Sequence, residues 1–311
     1  MIKKLNHTIS GLFNRNSADI SHCDIEPLSP MDVKYIYPLK NITVNGNKVA
    51  CIDEGNGQPV VFVHGVSTTL ASFDGLYPEI VKNGYRVIGL DLLGYGKSDK
   101  PDIKYSISFH AESVISLIKQ LGLKDTVLVG HSMGAAISIY SMIKEPAFFK
   151  SMVLLTPGGL AEYSSARILI FKILYKFIWG KRFSDLVTAR KYYHETVYHW
   201  SQTMEDFLKT REKLMVHPEW KKVQRTVKYS YASTLQSSKE ILLKIKSVKK
   251  PVLVILAEND NLVPNKEVKA NIEKNAKNWK IETYEKCGHN IQYDQKDKLI
   301  KRVLEFLKVS A

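Results

Sequence analysis

The chain is poor in cysteine, short of acid relative to base, and free of long apolar runs. Cys23, Cys51 and Cys287 are its only cysteines, an odd number at spacings that suit no metal site. That argues against a disulfide framework and fits a reducing compartment. No apolar stretch approaches the ~20 residues that a membrane helix needs, so an integral membrane protein is not expected. Internal repeats and low-complexity tracts are also missing, which sets aside solenoid and disordered classes. The opening "MIKKLNHTISGLFNRNSADISHC" carries basic residues but neither an apolar h-region nor a convincing cleavage site. Residues 1–35 are therefore read as an N-terminal extension, loosely docked or poorly ordered. The expected location is cytoplasmic.

What is plentiful is positive charge. Lys and Arg number 45 against 31 Asp and Glu, a formal net charge of +14. Such an excess bears on partners rather than on fold. The lysines are scattered, without the interleaved aromatics and glycines of an RNA-binding sheet, so no nucleic-acid partner is expected. A solvated basic surface is the first reading, and contact with an anionic membrane the second.

Hydrophobic patterning then sets the class. "NITVNGNKVACIDEGNG" alternates on either side of Asn45-Gly46, a dipeptide suited to a type I′ hairpin turn. "PVVFVHG", "YRVIGLD", "TVLVG", "KSMVLL" and "PVLVIL" are short apolar runs that do not alternate. Separated by helix-length segments, such as one expected over residues 72–83, they predict strands buried on both faces of a mostly parallel sheet. After Gly159 the rhythm stops and the chain turns helical in character until about residue 246. It resumes with "PVLVILAEND", "WKIETYEKCGHN" and a closing helix near "KDKLIKRVLEFLKV". Residues 36–159 and 247–311 thus read as one α/β core, with 160–246 as an inserted helical lid.

One serine stands out. In "TVLVGHSMGAAIS", Ser132 falls between Gly130 and Gly134 where a strand gives way to a helix. A tight turn is the plain reading; a G-x-S-x-G nucleophile elbow is the other. A serine hydroxyl needs a base, and the base needs an orienting acid. Asp260 lies just beyond "PVLVIL" and His289 just beyond "IETYE", so parallel strands would bring all three to one sheet edge. Alone, Asp260 would pass for a helix cap and His289 for a surface loop residue. Glu258 is the local competitor for the acid. "GYGKS" lacks the first glycine of a phosphate-binding loop, so Ser98 and Asp99 read as turn residues. His131 sits at a position of the elbow that tolerates most residues, and Cys287 reads as packing.

With these motifs in order, the chain resembles the α/β-hydrolase fold superfamily over about residues 40–160 and 247–310. "VVFVHG", "GLDLLGYGKSDKP", "VGHSMGAA", "LAENDNLVP" and "CGHN" carry the resemblance. It implies Ser132 as nucleophile, His289 as general base, Asp260 as acid, and an oxyanion hole from the amides of Val66 and Met133. The Met133 amide also follows physically, since it begins a helix and has no intrahelical acceptor. Relatives with an aspartate nucleophile are set aside by Ser132. Some relatives carry the acid after the strand matching "MVLLTPGG", where this chain has no aspartate.

The expected function is a serine hydrolase cleaving carboxylic esters with an apolar acyl or alcohol part through an acyl-enzyme. Its partner would be a small-molecule ester, with no cofactor and no metal. The alternatives are a C–C bond hydrolase of a dienoic ring-cleavage product and a non-catalytic binding protein of the same fold. Residues 160–246 hold 17 Lys and Arg against 8 Asp and Glu, so about +9 of the charge lies there. Within them "ARILIFKILYKFIWGKRF", residues 166–183, reads as an amphipathic helix. It would cover the site as a lid or, in the second reading, rest on an anionic membrane.

Overall fold

A computed structural model describes residues 25–166, 168–169 and 185–309. Eight strands run through it: β1 (Lys40–Val44), β2 (Asn47–Glu54), β3 (Pro59–Val63), β4 (Arg86–Leu90), β5 (Thr126–His131), β6 (Phe149–Leu155), β7 (Val252–Ala257) and β8 (Lys280–Tyr284). They form one sheet in the order β1-β2-β4-β3-β5-β6-β7-β8. The β1–β2 hairpin and the β2–β4 pair are antiparallel, and every later pair is parallel. The hairpin turns at Asn45 and Gly46 with φ of 50° and 77°, as a type I′ turn requires.

The helices include α1 (Tyr77–Lys82), α2 (Ile107–Gln120), α3 (Met133–Lys144), α4 (Leu186–Glu195), α5 (Gln202–Met215), α6 (Trp220–Lys244), α7 (Asn265–Asn275), α8 (Ile291–Asp294) and α9 (Lys296–Val309). Serine and aspartate caps start several of them: Ser106, Asp185 and Ser201 accept the amides of Phe109, Thr188 and Met204. The single helix expected over 72–83 is divided. A 3₁₀ turn over Leu70–Phe73 precedes α1. Pro78 has no amide to donate, so it is accommodated in the first turn of α1 and the helix starts there.

Strand composition explains the layering. Every residue of β5 and β7 is buried. Val61 and Val63 face one core with Leu117 and Ile139 of α2 and α3. Val60 and Phe62 face the other with Tyr77, Ile80, Leu299 and Val303 of α1 and α9. On that side Phe62 meets Tyr77 edge-on at 5.1 Å. Burying one such side chain stabilises the fold by about 2–3 kcal/mol, so the two cores dominate its energetics.

The chain leaves the sheet after Leu155 and rejoins it at Val252, and α4, α5 and α6 lie between. His110 Nε2 of α2 lies 3.1 Å from the Ser230 hydroxyl of α6, and the Ser233 hydroxyl accepts the Ile107 amide at 2.9 Å. Residues 167 and 170–183 of the proposed amphipathic segment lie outside the described residues. Tyr35, read as part of the extension, donates its hydroxyl to Asp91 at 2.7 Å. Among the described residues, no helix is long and apolar enough to cross a membrane.

Candidate active site

The parallel strands end at one edge, and the predicted residues stand just beyond their ends. His131 is the last residue of β5, and α3 begins at Met133. Ser132 takes the whole change of direction, with φ of 54°, a left-handed conformation that costs energy in any residue but glycine. The glycines around it serve close approach. A side chain on Gly134 would collide with the Val63 carbonyl, and one on Gly130 would meet the Gly134 carbonyl at 2.5 Å. Small residues therefore let α3 start directly beside β3, and the serine is lifted into the open at the corner.

Asp260 and His289 come from the loops after β7 and β8. His289 Nδ1 lies 2.8 Å from Asp260 Oδ2, with the carboxylate fully buried and the imidazole 7% exposed. The other carboxylate oxygen, Oδ1, accepts the amides of Leu262 at 2.7 Å and Val263 at 3.0 Å. Burial pushes the Asp260 carboxyl up, but the His289 charge and hydrogen bond, with the two amides, outweigh it and hold the group below the ordinary carboxylate range. Glu258 instead accepts the Lys286 amide at 3.4 Å.

Ser132, His289, Val66 and Met133 line one cavity of about 60 Å³. Tyr192, Tyr193, Tyr231, Leu235 and Val263 give it an apolar, aromatic wall. Among the described residues no hydrogen bond joins Ser132 to His289, a separation usual before substrate binds. Neither the Val66 nor the Met133 amide is spent on a hydrogen bond among the described residues, so both are free to meet a developing negative charge.

Several supports were not visible in the sequence. His131 donates from Nε2 to the His289 carbonyl at 3.0 Å, and the Thr156 hydroxyl donates to that carbonyl at 2.9 Å. Burial, then the neighbouring His289, pulls His131 down to about 3, so it is neutral with its proton on Nε2. The Asp294 carboxylate accepts the amides of Gly288 at 2.7 Å, Tyr198 at 2.8 Å and His199 at 2.9 Å. It thereby ties the His289 loop to the inserted block. Arg211 of α5 donates to the carbonyl and hydroxyl of Ser67, the residue after Val66. Asp91 plays a comparable part for the loop after β4. Its oxygens accept the Leu70 amide at 2.9 Å and the Lys97 amide at 2.8 Å, while Ser98 and Asp99 fasten that loop to β2.

A nearly parallel sheet, a strained serine at a strand-to-helix corner and a buried Asp–His pair beside it define a hydrolase of the α/β fold. The sequence profile of the alpha/beta hydrolase fold matches residues 58–296, and the chain belongs to that family. The AB hydrolase superfamily protein YisY of Bacillus subtilis is 26% identical over 265 residues, spanning 82% of this chain and 93% of its own. A Comamonas testosteroni protein named 2-hydroxy-6-oxononadienedioate/2-hydroxy-6-oxononatrienedioate hydrolase is 25% identical over 267 residues, 82% of this chain and 89% of that one. An esterase from Exiguobacterium antarcticum superposes with a TM-score of 0.73 at 21% identity, covering 86% of this chain and 98% of that chain. At that identity the likeness is one of fold.

Proposed function

We propose that the protein is a serine hydrolase that cleaves carboxylic esters with an apolar acyl or alcohol part. His289 takes the proton from Ser132 as the hydroxyl attacks the ester carbonyl, and Asp260 holds the imidazole in the required tautomer. The Val66 and Met133 amides receive the oxyanion, and His289 returns the proton to the departing alcohol. Water activated by the same imidazole then attacks the acyl-enzyme and frees the acid. The observation that carries this reading is the buried Asp260–His289 pair on the cavity that Ser132 lines. The tyrosine and aliphatic wall supports an apolar substrate part.

Labelling with a fluorophosphonate probe, beside turnover of a p-nitrophenyl ester series, tests it. Ser132→Ala should abolish labelling and lower kcat by on the order of 10⁶, as loss of the nucleophile does in serine proteases. Full turnover by that variant would overturn the assignment. The relative named as a dienedioate hydrolase supports a second reading, C–C bond cleavage with the same residues. A yellow dienoate substrate consumed faster than every ester in the series would favour it.

A further inference from the structure

A second cavity, of about 280 Å³, lies on the other side of the loop that carries Val66, and Thr68 borders both. Tyr95, Phe207, Leu214 and Val223 supply much of its wall. Arg211 lines it too, although its side chain is almost wholly buried, at 5% exposure for the residue. Among the described residues this guanidinium makes no ion pair. The ring of Tyr193 lies 5.3 Å from it and that of Trp220 lies 4.6 Å away. Nη1 and Nη2 donate to Ser67, and Nε–H has no acceptor among the described residues. A guanidinium has five N–H donors, so most of one edge is unused while the charge sits out of water. A buried cation in that condition is costly until an anion meets it.

We propose that this cavity binds a carboxylate-bearing molecule with a compact apolar body, its carboxylate taken up by the unused edge of Arg211. A guanidinium presents parallel N–H donors along an edge, which suits a planar pair of oxygens. The wall suits an aliphatic or aromatic body rather than a bare inorganic ion. Lys34 adds a second cation to the lining, while Asp74 and Asp206 add carboxyls. Burial, then Asp91, pushes the Asp74 carboxyl up to about 7, so a proton can be held there beside a bound anion. This site is separate from the Ser132 cavity and stands whether or not the ester reading holds.

The test is calorimetric titration of the full chain with hexanoate and benzoate, and with hexanol and benzyl alcohol as uncharged shapes. The acids should bind at least about tenfold more tightly than the alcohols. Arg211→Gln should weaken the acids by about ten- to a hundredfold and leave the alcohols nearly unchanged. Because Arg211 also holds Ser67, that variant could misfold. Thr210→Phe, which fills the cavity and spares those contacts, should then remove acid binding from a folded chain. Equal affinity for acids and alcohols would overturn the proposal. So would acid binding that survives Thr210→Phe, or no acid binding to the wild-type chain at about 10 mM.

Discussion

At the scale of single residues, the site depends on groups whose protonation and geometry are set by their neighbours. Asp260 spends one oxygen on two amides and the other on His289, so it is held ionised and cannot rotate away. Asp260→Asn keeps the shape but presents an amide that favours the wrong imidazole tautomer. Its kcat on p-nitrophenyl esters should fall by about 10⁴, with the fold intact by circular dichroism. How far such residues can be read in sequence depends on whether their signal is local. Ser132 announces itself because an elbow needs small neighbours within a few positions. Asp260 and His289 are legible because each lies a few residues beyond a strand-like run. His131 is silent: its partner is a backbone carbonyl 158 positions away, and nothing nearby marks it. Arg211 and Ser67 are 144 apart and equally silent.

At the scale of elements, the doubly buried strands were legible because no alternating pattern competes with a solid apolar run. The break between Phe73 and Tyr77 was not, since a 3₁₀ turn followed by a short helix has nearly the same periodicity as one longer helix. The inserted block packs against the loops after β7 and β8 through polar contacts as well as apolar ones. Asp294 binds amides at Tyr198 and His199 of the block and at Gly288 of the histidine loop. Asn290 adds a donor to the Thr196 hydroxyl at 2.7 Å and another, from its amide, to the Thr196 carbonyl at 3.0 Å. Asp294→Asn replaces one acceptor oxygen by a donor where amides already point. Ester turnover should fall by about ten- to a hundredfold and fluorophosphonate labelling should slow in proportion. An unchanged labelling rate would mean that the block does not help to position His289.

At the scale of the whole molecule, buried imidazoles govern the response to acid. Burial first, then His64, pulls His110 down to about 3, and His131 reaches about 3 for a similar reason. Their unfolded values are near 6.5. Between those limits the unfolded chain binds protons that the folded one refuses, so stability is full above pH ~6.5 and drains as pH falls toward 3. Asp74, pushed up to about 7, acts in the opposite sense over part of that range. Two histidines outweigh one carboxyl, each worth on the order of a few kcal/mol. Urea midpoints measured at pH 7 and pH 5 should therefore differ clearly in the wild-type chain. His110→Phe should narrow that difference, and an identical pH dependence in the variant would refute this account.

The position of the inserted block has a consequence for synthesis. β6 is free to pair with β5 once both have left the ribosome, yet its other neighbour, β7, is made only after α4, α5 and α6. For on the order of 5–20 s, at ordinary translation speed, the nascent sheet presents an unpaired, mostly apolar border strand. Ser132 has been made throughout that interval while Asp260 and His289 have not, so the proposed site is incomplete while the chain is also most prone to aggregate.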